Sequence, residues 1–144
     1  RNWHNHKARV VKTAILRKLQ RKTEALDWID ASLKIDLFNF GCRFEKYILT
    51  GDKAHLDEMH KHMRGEIHNY EIVALDYIAC GMYAEAVQLL NEGIKVCNTT
   101  PMTYYYMAWA LTLDNKNAES TLAKAASHTP EFCFPNRLGR QYFI

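Results

Sequence analysis

Proline and glycine are scarce, three and six in 144 residues. So few helix breakers leave room for long helices and argue against an all-β chain, whose turns draw on both residue types. The four cysteines, Cys42, Cys80, Cys97 and Cys133, follow no CxxC or zinc-finger spacing, which argues against the common zinc modules. Long apolar runs are missing too. The uncharged stretch Cys97–Leu113 opens with the polar NTTPMT, and the remainder is too short to span a bilayer. No GxSxG elbow, phosphate-cradling glycine loop or pair of carboxylates in an apolar stretch is present. We therefore expect no enzyme, no catalytic residue, no metal site and no cofactor. No secretory or transit signal is visible. The chain starts at Arg1 rather than methionine, so a fragment of a longer protein is expected. Each cysteine has apolar or aromatic neighbours, and free buried thiols are expected. Together with the missing signal this favours the cytoplasm.

Acidic residues are absent from residues 1–22, which hold eight Lys/Arg, whereas the remaining residues carry a net charge of −5. A basic block of this kind suggests an acidic partner: nucleic acid, a membrane surface or the acidic rest of the molecule. In helical projection Lys7, Arg9, Lys12, Arg17, Lys18 and Arg21 spread around much of the circumference, and Trp3 is the only nearby aromatic. A nucleic-acid face needs phosphate-contacting cations together on one side. Neither nucleic acid nor membrane is expected as a partner. The block reads as the solvated side of a first helix or as a contact to an acidic neighbour.

What the chain does have is a period near 31 residues. Stretches LQRKTEAL, TGDKAHL, CGMYAEAV and LDNKNAES place Ala25, Leu56, Ala86 and Ala118 at intervals of 31, 30 and 32. Around each lie helical patterns with apolar residues three and four apart. Before the first turn come Val11, Ile15, Leu16 and Leu19, and after it Leu26, Ile29 and Leu33. Later units supply Phe40, Phe44, Tyr47 and Ile48, then Tyr70, Ala74, Tyr77 and Ile78, then Val87, Leu90 and Ile94. Gly51, Gly65 and Gly81 fall where a helix ends in the left-handed region. Asp52 and Thr100-Pro101 read as helix starts, and Pro130 as a helix stop. The expected domain is one repeat array spanning 1–144, with pairs at about 5–36, 37–66, 67–99 and 100–130 and a cap at 131–144.

These pairs resemble tetratricopeptide repeats. The third matches well through Tyr70, Ala74 and Tyr77, then Ala86, Leu90 and Gly93. Gly93 would be the small position at which neighbouring helices approach, which explains a residue costing about 1 kcal/mol against alanine in a helix. The first pair supplies Leu16, Ala25, Ile29 and Ser32, and the fourth Ala108, Ala118, Leu122, Ala125 and Pro130. The second departs most, with Leu56, His60 and Met63. The resemblance implies an all-α, right-handed α-α superhelix of about four antiparallel pairs with a C-terminal capping segment. A narrower resemblance rests on LRKLQRKTEALDWIDASLKIDLFNF, LDYIACGMYAEAVQLLNEGI and especially EFCFPNRL. These are similar to the helical tail of a bacterial family of unknown function, where such repeats follow a large β-rich domain related to carbohydrate-active folds.

In such stacks the first helix of each pair lines the concave surface. By that resemblance the groove candidates are Lys7, Arg17, Lys18, Glu45, His68, Glu71, Tyr105, Trp109 and Thr112. The implied function is a non-catalytic scaffold for a protein, a peptide or another domain of the parent chain. The alternative is an accessory helical module of a larger carbohydrate-related protein. Two further clusters carry competing readings. His55, His60 and His62 lie close in HLDEMHKHM, but their spacings of five and two put them on mismatched faces. Glu58 with His62 is a plain i,i+4 pair on a solvated helix. Cys42 sits between Gly41 and Arg43, and arginine can lower a thiol pKa, yet with no histidine nearby a packed thiol is expected. Finally, Phe132, Phe134, Leu138, Tyr142, Phe143 and Ile144 are too apolar for a disordered tail. They are expected either to cap the last pair or to join two copies.

Overall fold

Left-handed residues punctuate the chain at the places where its helices stop. Gln20, Gly51, Arg64, Gly65, Gly81 and Asn115 all have φ between 57° and 77°. Between these points the computed structural model is helical. It describes the backbone of residues 2–132 and the side chains of residues 6–127. Eight helices are present among the described residues: α1 (Asn2–Lys18), α2 (Lys22–Ile35), α3 (Phe40–Thr50), α4 (Lys53–Met63), α5 (Ile67–Ala79), α6 (Tyr83–Val96), α7 (Pro101–Leu113) and α8 (Glu119–Phe132). No strand occurs among those residues. The fold is all-α.

The chain divides into two compact units, 1–69 and 70–144, with the boundary in the first turn of α5. In the first unit α1 packs on α2 and α3, α2 on α3, and α3 on α4. Its core is built from Ala14, Ala25, Ile29, Phe44, Met59 and Met63, all without solvent exposure. In the second unit α7 packs on both α6 and α8. Tyr70, Ala74, Ala86, Leu89, Leu90 and Ala125 are its most buried residues. The four periodic anchors Ala25, Leu56, Ala86 and Ala118 are all buried, each at or beside the start of the second helix of a pair.

Capping chemistry explains several boundaries. Asp52 accepts a hydrogen bond from the Ala54 amide at 2.9 Å and starts α4. Asn39 does the same for α3, accepting from the Cys42 amide at 3.2 Å. Its buried Nδ2 finds no acceptor among the described residues. Pro101 occupies the first turn of α7, but the Thr100 side chain makes no capping bond; the Thr100 carbonyl accepts from Thr103 instead. α8 runs to Phe132, past Pro130, so the proline does not stop it. An interior proline removes its own N–H and crowds the carbonyl four residues back, yet the helix continues for two residues beyond it. Of the expected cap at 131–144, residues 131–132 belong to α8, and residues 133–144, with Cys133, lie outside the described residues.

Three expectations about burial need correction. Leu16 is buried, but Ile15 and Leu19 are exposed. The inward face of α1 is Val10, Thr13, Ala14 and Arg17 rather than the bulkier stripe. Cys80 is also exposed, beside the turn that ends α5, and Leu122 on α8 is open to solvent.

α3 comes close to α1 at Gly41. A Cβ there would lie 2.6 and 2.8 Å from the two γ-methyls of Val10 and 3.2 Å from its Cβ. Valine is stiff at χ1, and no rotation removes both methyls and the Cβ at once. Gly41→Ala gains about 1 kcal/mol of helix propensity and loses about 1–3 kcal/mol to overpacking. Urea denaturation should show a net destabilisation, and in a Val10→Ala background the same change should become neutral or stabilising. Equal cost in both backgrounds would show that this contact does not set the spacing.

Candidate functional site

The first helices of the pairs carry the candidate groove residues, and several are already engaged inside the protein. Arg17 on α1 donates from Nε to Glu45 Oε1 at 2.7 Å and from Nη2 to Oε2 at 3.3 Å. The Glu45 side chain on α3 is 0% exposed and that of Arg17 17%. This two-pronged contact is an interior anchor between α1 and α3. Glu71 on α5 is likewise buried, and its Oε2 accepts from the Thr103 hydroxyl of α7 at 2.7 Å. Glu45 and Glu71 therefore face the protein interior rather than an open groove.

The remaining candidates reach solvent. Lys7 is partly buried, Lys18 and His68 are exposed, and Tyr105 is partly buried. Trp109, one helical turn beyond Tyr105, is 50% exposed, and Leu113 a turn further is also exposed. Thr112 spends its hydroxyl on the Ala108 carbonyl at 2.8 Å. On α5 the exposed apolar residue is Ile72. Arg17 and Glu45 are two candidates in direct contact with each other.

A second cluster had no local signature. Trp28 of α2 lies beneath two cations of α1, with Lys12 Nζ 3.8 Å and Arg9 Cζ 4.9 Å from its ring centroid. Arg9 Nη1 also donates to Ser32 Oγ at 3.2 Å, and Ser32 Oγ donates to the Trp28 carbonyl at 2.6 Å. Part of the N-terminal basic block is therefore used within the chain, on an aromatic face as well as on Glu45. The spacing of Arg9 and Lys12 puts them on one side of α1, but nothing in the sequence pairs them with Trp28.

His62 lies 3.7 Å from Glu58, the i,i+4 pair expected from spacing, and meets the Phe38 ring edge-on at 5.7 Å. Among the described residues no three His, Cys, Asp or Glu side chains converge, and no helix is long and apolar enough to cross a membrane. Burial pushes the Cys42 thiol from its ordinary 9.0 up to about 11; Glu45 adds to the rise, and hydrogen bonding to Ser32 and Thr13 with the Arg9 charge opposes it. Arg43 does not activate this thiol. Burial also raises the Tyr70 hydroxyl, with further contributions from Cys97 and Glu92.

No protein-family model, curated protein or solved structure matches the chain.

Two measurements check this assignment. Glu45→Ala strands Arg17 against α3 and should cost about 3–5 kcal/mol in chemical denaturation, whereas replacing both residues by leucine should recover most of the loss. A single-mutant cost under about 1 kcal/mol, as for a solvated pair, would contradict an interior anchor. For Cys42, folded and unfolded chains both carry the neutral thiol below pH 9, so its contribution is complete there. As pH rises, the unfolded chain ionises first, and the contribution is lost progressively up to the folded value of about 11. Relative to Cys42→Ala, the native chain should lose about 2–3 kcal/mol across that window. In alkylation near neutral pH, Cys80 should label rapidly and Cys42 only through unfolding.

Proposed function

We propose that the chain is a tetratricopeptide-like interaction scaffold that binds a protein, a peptide or another domain of its parent chain without catalysing a reaction. In this reading the helix pairs form a right-handed superhelix whose first helices present the binding surface. The observation that carries the reading is the stripe Tyr105, Trp109 and Leu113 on α7, four residues apart and open to solvent at Trp109 and Leu113. Large aromatics left half-exposed on a rigid helix are favoured anchors of protein interfaces. The helices beneath are held by buried polar contacts such as Glu71 with Thr103, which supports a preformed surface rather than one that must order on binding.

A photo-crosslinking amino acid at position 109 in the native host protein tests this. The expected result is one discrete crosslinked product, either a second chain or a loop within a longer parent chain. The second form would make the role interdomain, including the accessory-module alternative. In a peptide selection on the purified chain, Trp109→Ala should lower the affinity of enriched peptides by about tenfold or more while leaving the thermal midpoint nearly unchanged. Selected peptides indifferent to Trp109→Ala, with no crosslink above background, would remove the reading.

A further inference from the structure

The outer side of α1 carries an open groove of about 570 Å³, lined from Lys7 to Arg21. Val11, Ile15 and Leu19 run along its floor at intervals of four residues. Ile15 is 46% exposed and Leu19 61%. Lys7, Lys12 and Arg21 edge it, and among the described residues no carboxylate lines it. α1 is held from its other side, by Glu45 on Arg17 and by the approach of Gly41 to Val10. The groove is therefore a fixed surface on an anchored helix.

We propose that this groove docks an amphipathic helix of an acidic partner protein. Apolar side chains every three or four residues on that helix would seat on Val11, Ile15 and Leu19. Carboxylates on its flanks would meet Lys7, Lys12 and Arg21. The stripe extends about 12 Å along α1, and a helix laid along it meets it with two to three successive turns of its own. Charge complementarity selects the acidic partner: the lining among the described residues holds three cations, Lys7, Lys12 and Arg21, and no carboxylate. Lys12 already lies over Trp28, and Arg21 pairs with Glu24 at 3.1 Å between two well-exposed side chains. Such an exposed pair is worth little and exchanges readily for a new carboxylate.

Two other classes of anionic partner fit less well. A membrane-surface helix buries a broad apolar face, whereas the floor among the described residues is a narrow aliphatic stripe. Nucleic acid binds through phosphate neutralisation and has no use for an apolar floor. This face is distinct from the α7 stripe, so either proposal can fail without the other.

The test is fluorescence anisotropy of the full chain with a labelled synthetic helix of about 18 residues, or five turns. It carries leucines every three or four residues and glutamates on both flanks, and the control is the same composition scrambled. The striped peptide should bind about tenfold or more tighter than the scrambled one. Leu19→Asp and Ile15→Asp should each weaken it about tenfold or more, and added salt should weaken it further. Leu19→Gln, which adds no charge, should also weaken binding, and circular dichroism checks that each variant stays folded. Equal binding of the scrambled peptide would reduce the site to a diffuse charge and overturn the proposal. So would affinity unchanged by Leu19→Gln, or no binding of the striped peptide. Binding to phosphatidylserine vesicles that Leu19→Asp abolishes, with no peptide binding, would replace the protein partner by a membrane.

Discussion

The buried contact between Arg17 and Glu45 governs the first unit. A carboxylate with no solvent exposure has given up its hydration and is tolerated only where donors replace the lost water. Arg17 supplies two of them, and both oxygens are engaged. That requirement fixes the rotation of α1 about its own axis. With about 100° per residue, Val10, Thr13 and Ala14 fall within about 60° of Arg17, and all three are buried, with Leu16 at the edge of that face. Gly41 then lets α3 come within contact of Val10. Ile15 and Leu19 are each two residues from Arg17, which places them about 160° round the helix. They cannot be buried while the charge is paired.

The same device recurs in the second unit. Phe44-Glu45 on α3 and Tyr70-Glu71 on α5 are matching steps, an unexposed aromatic followed by a buried glutamate. Each glutamate accepts from the first helix of another pair, Arg17 28 residues away in one case and Thr103 32 residues away in the other. Those separations bracket the sequence period near 31. Glu45 and Glu71 themselves lie 26 residues apart, so they are not equivalent positions of that period; each unit buries its own glutamate against a different donor.

Helix ends and the recurring buried anchors were legible because they depend on local chemistry, whereas the close approach at Gly41 was not, because its neighbour Val10 lies on another helix. Gly51 and Gly81 need positive φ, Asp52 reaches an amide two residues on, and Ala25 and Ala86 recur at a fixed interval. The rotation of α1 was not legible, because periodicity weights large apolar residues and two stripes compete on this helix. The stripe with more apolar bulk, Val11, Ile15 and Leu19, lost to one built from Val10, Thr13, Ala14 and a charge. What decided between them was a partner 28 residues away. Glu45 and Glu71 were read as groove residues for the same reason: an isolated carboxylate in a sequence looks solvated until its donor is known. Trp28 escaped notice because the two cations that cover it belong to another helix.

The polar anchors therefore also decide which apolar surface is left for others. On α7 the inward hydroxyl of Thr103 sets the helix so that Tyr105 and Trp109 lie about 160° and 120° round from it. On α1 the Arg17 guanidinium sets Ile15 and Leu19 outward by the same geometry. Moving either stripe into the core would mean rotating its helix and stranding a buried carboxylate, which costs more than burying one leucine returns. The exposed apolar residues on these helices follow from how the interior is wired, and their exposure holds as long as Glu45 and Glu71 keep their partners.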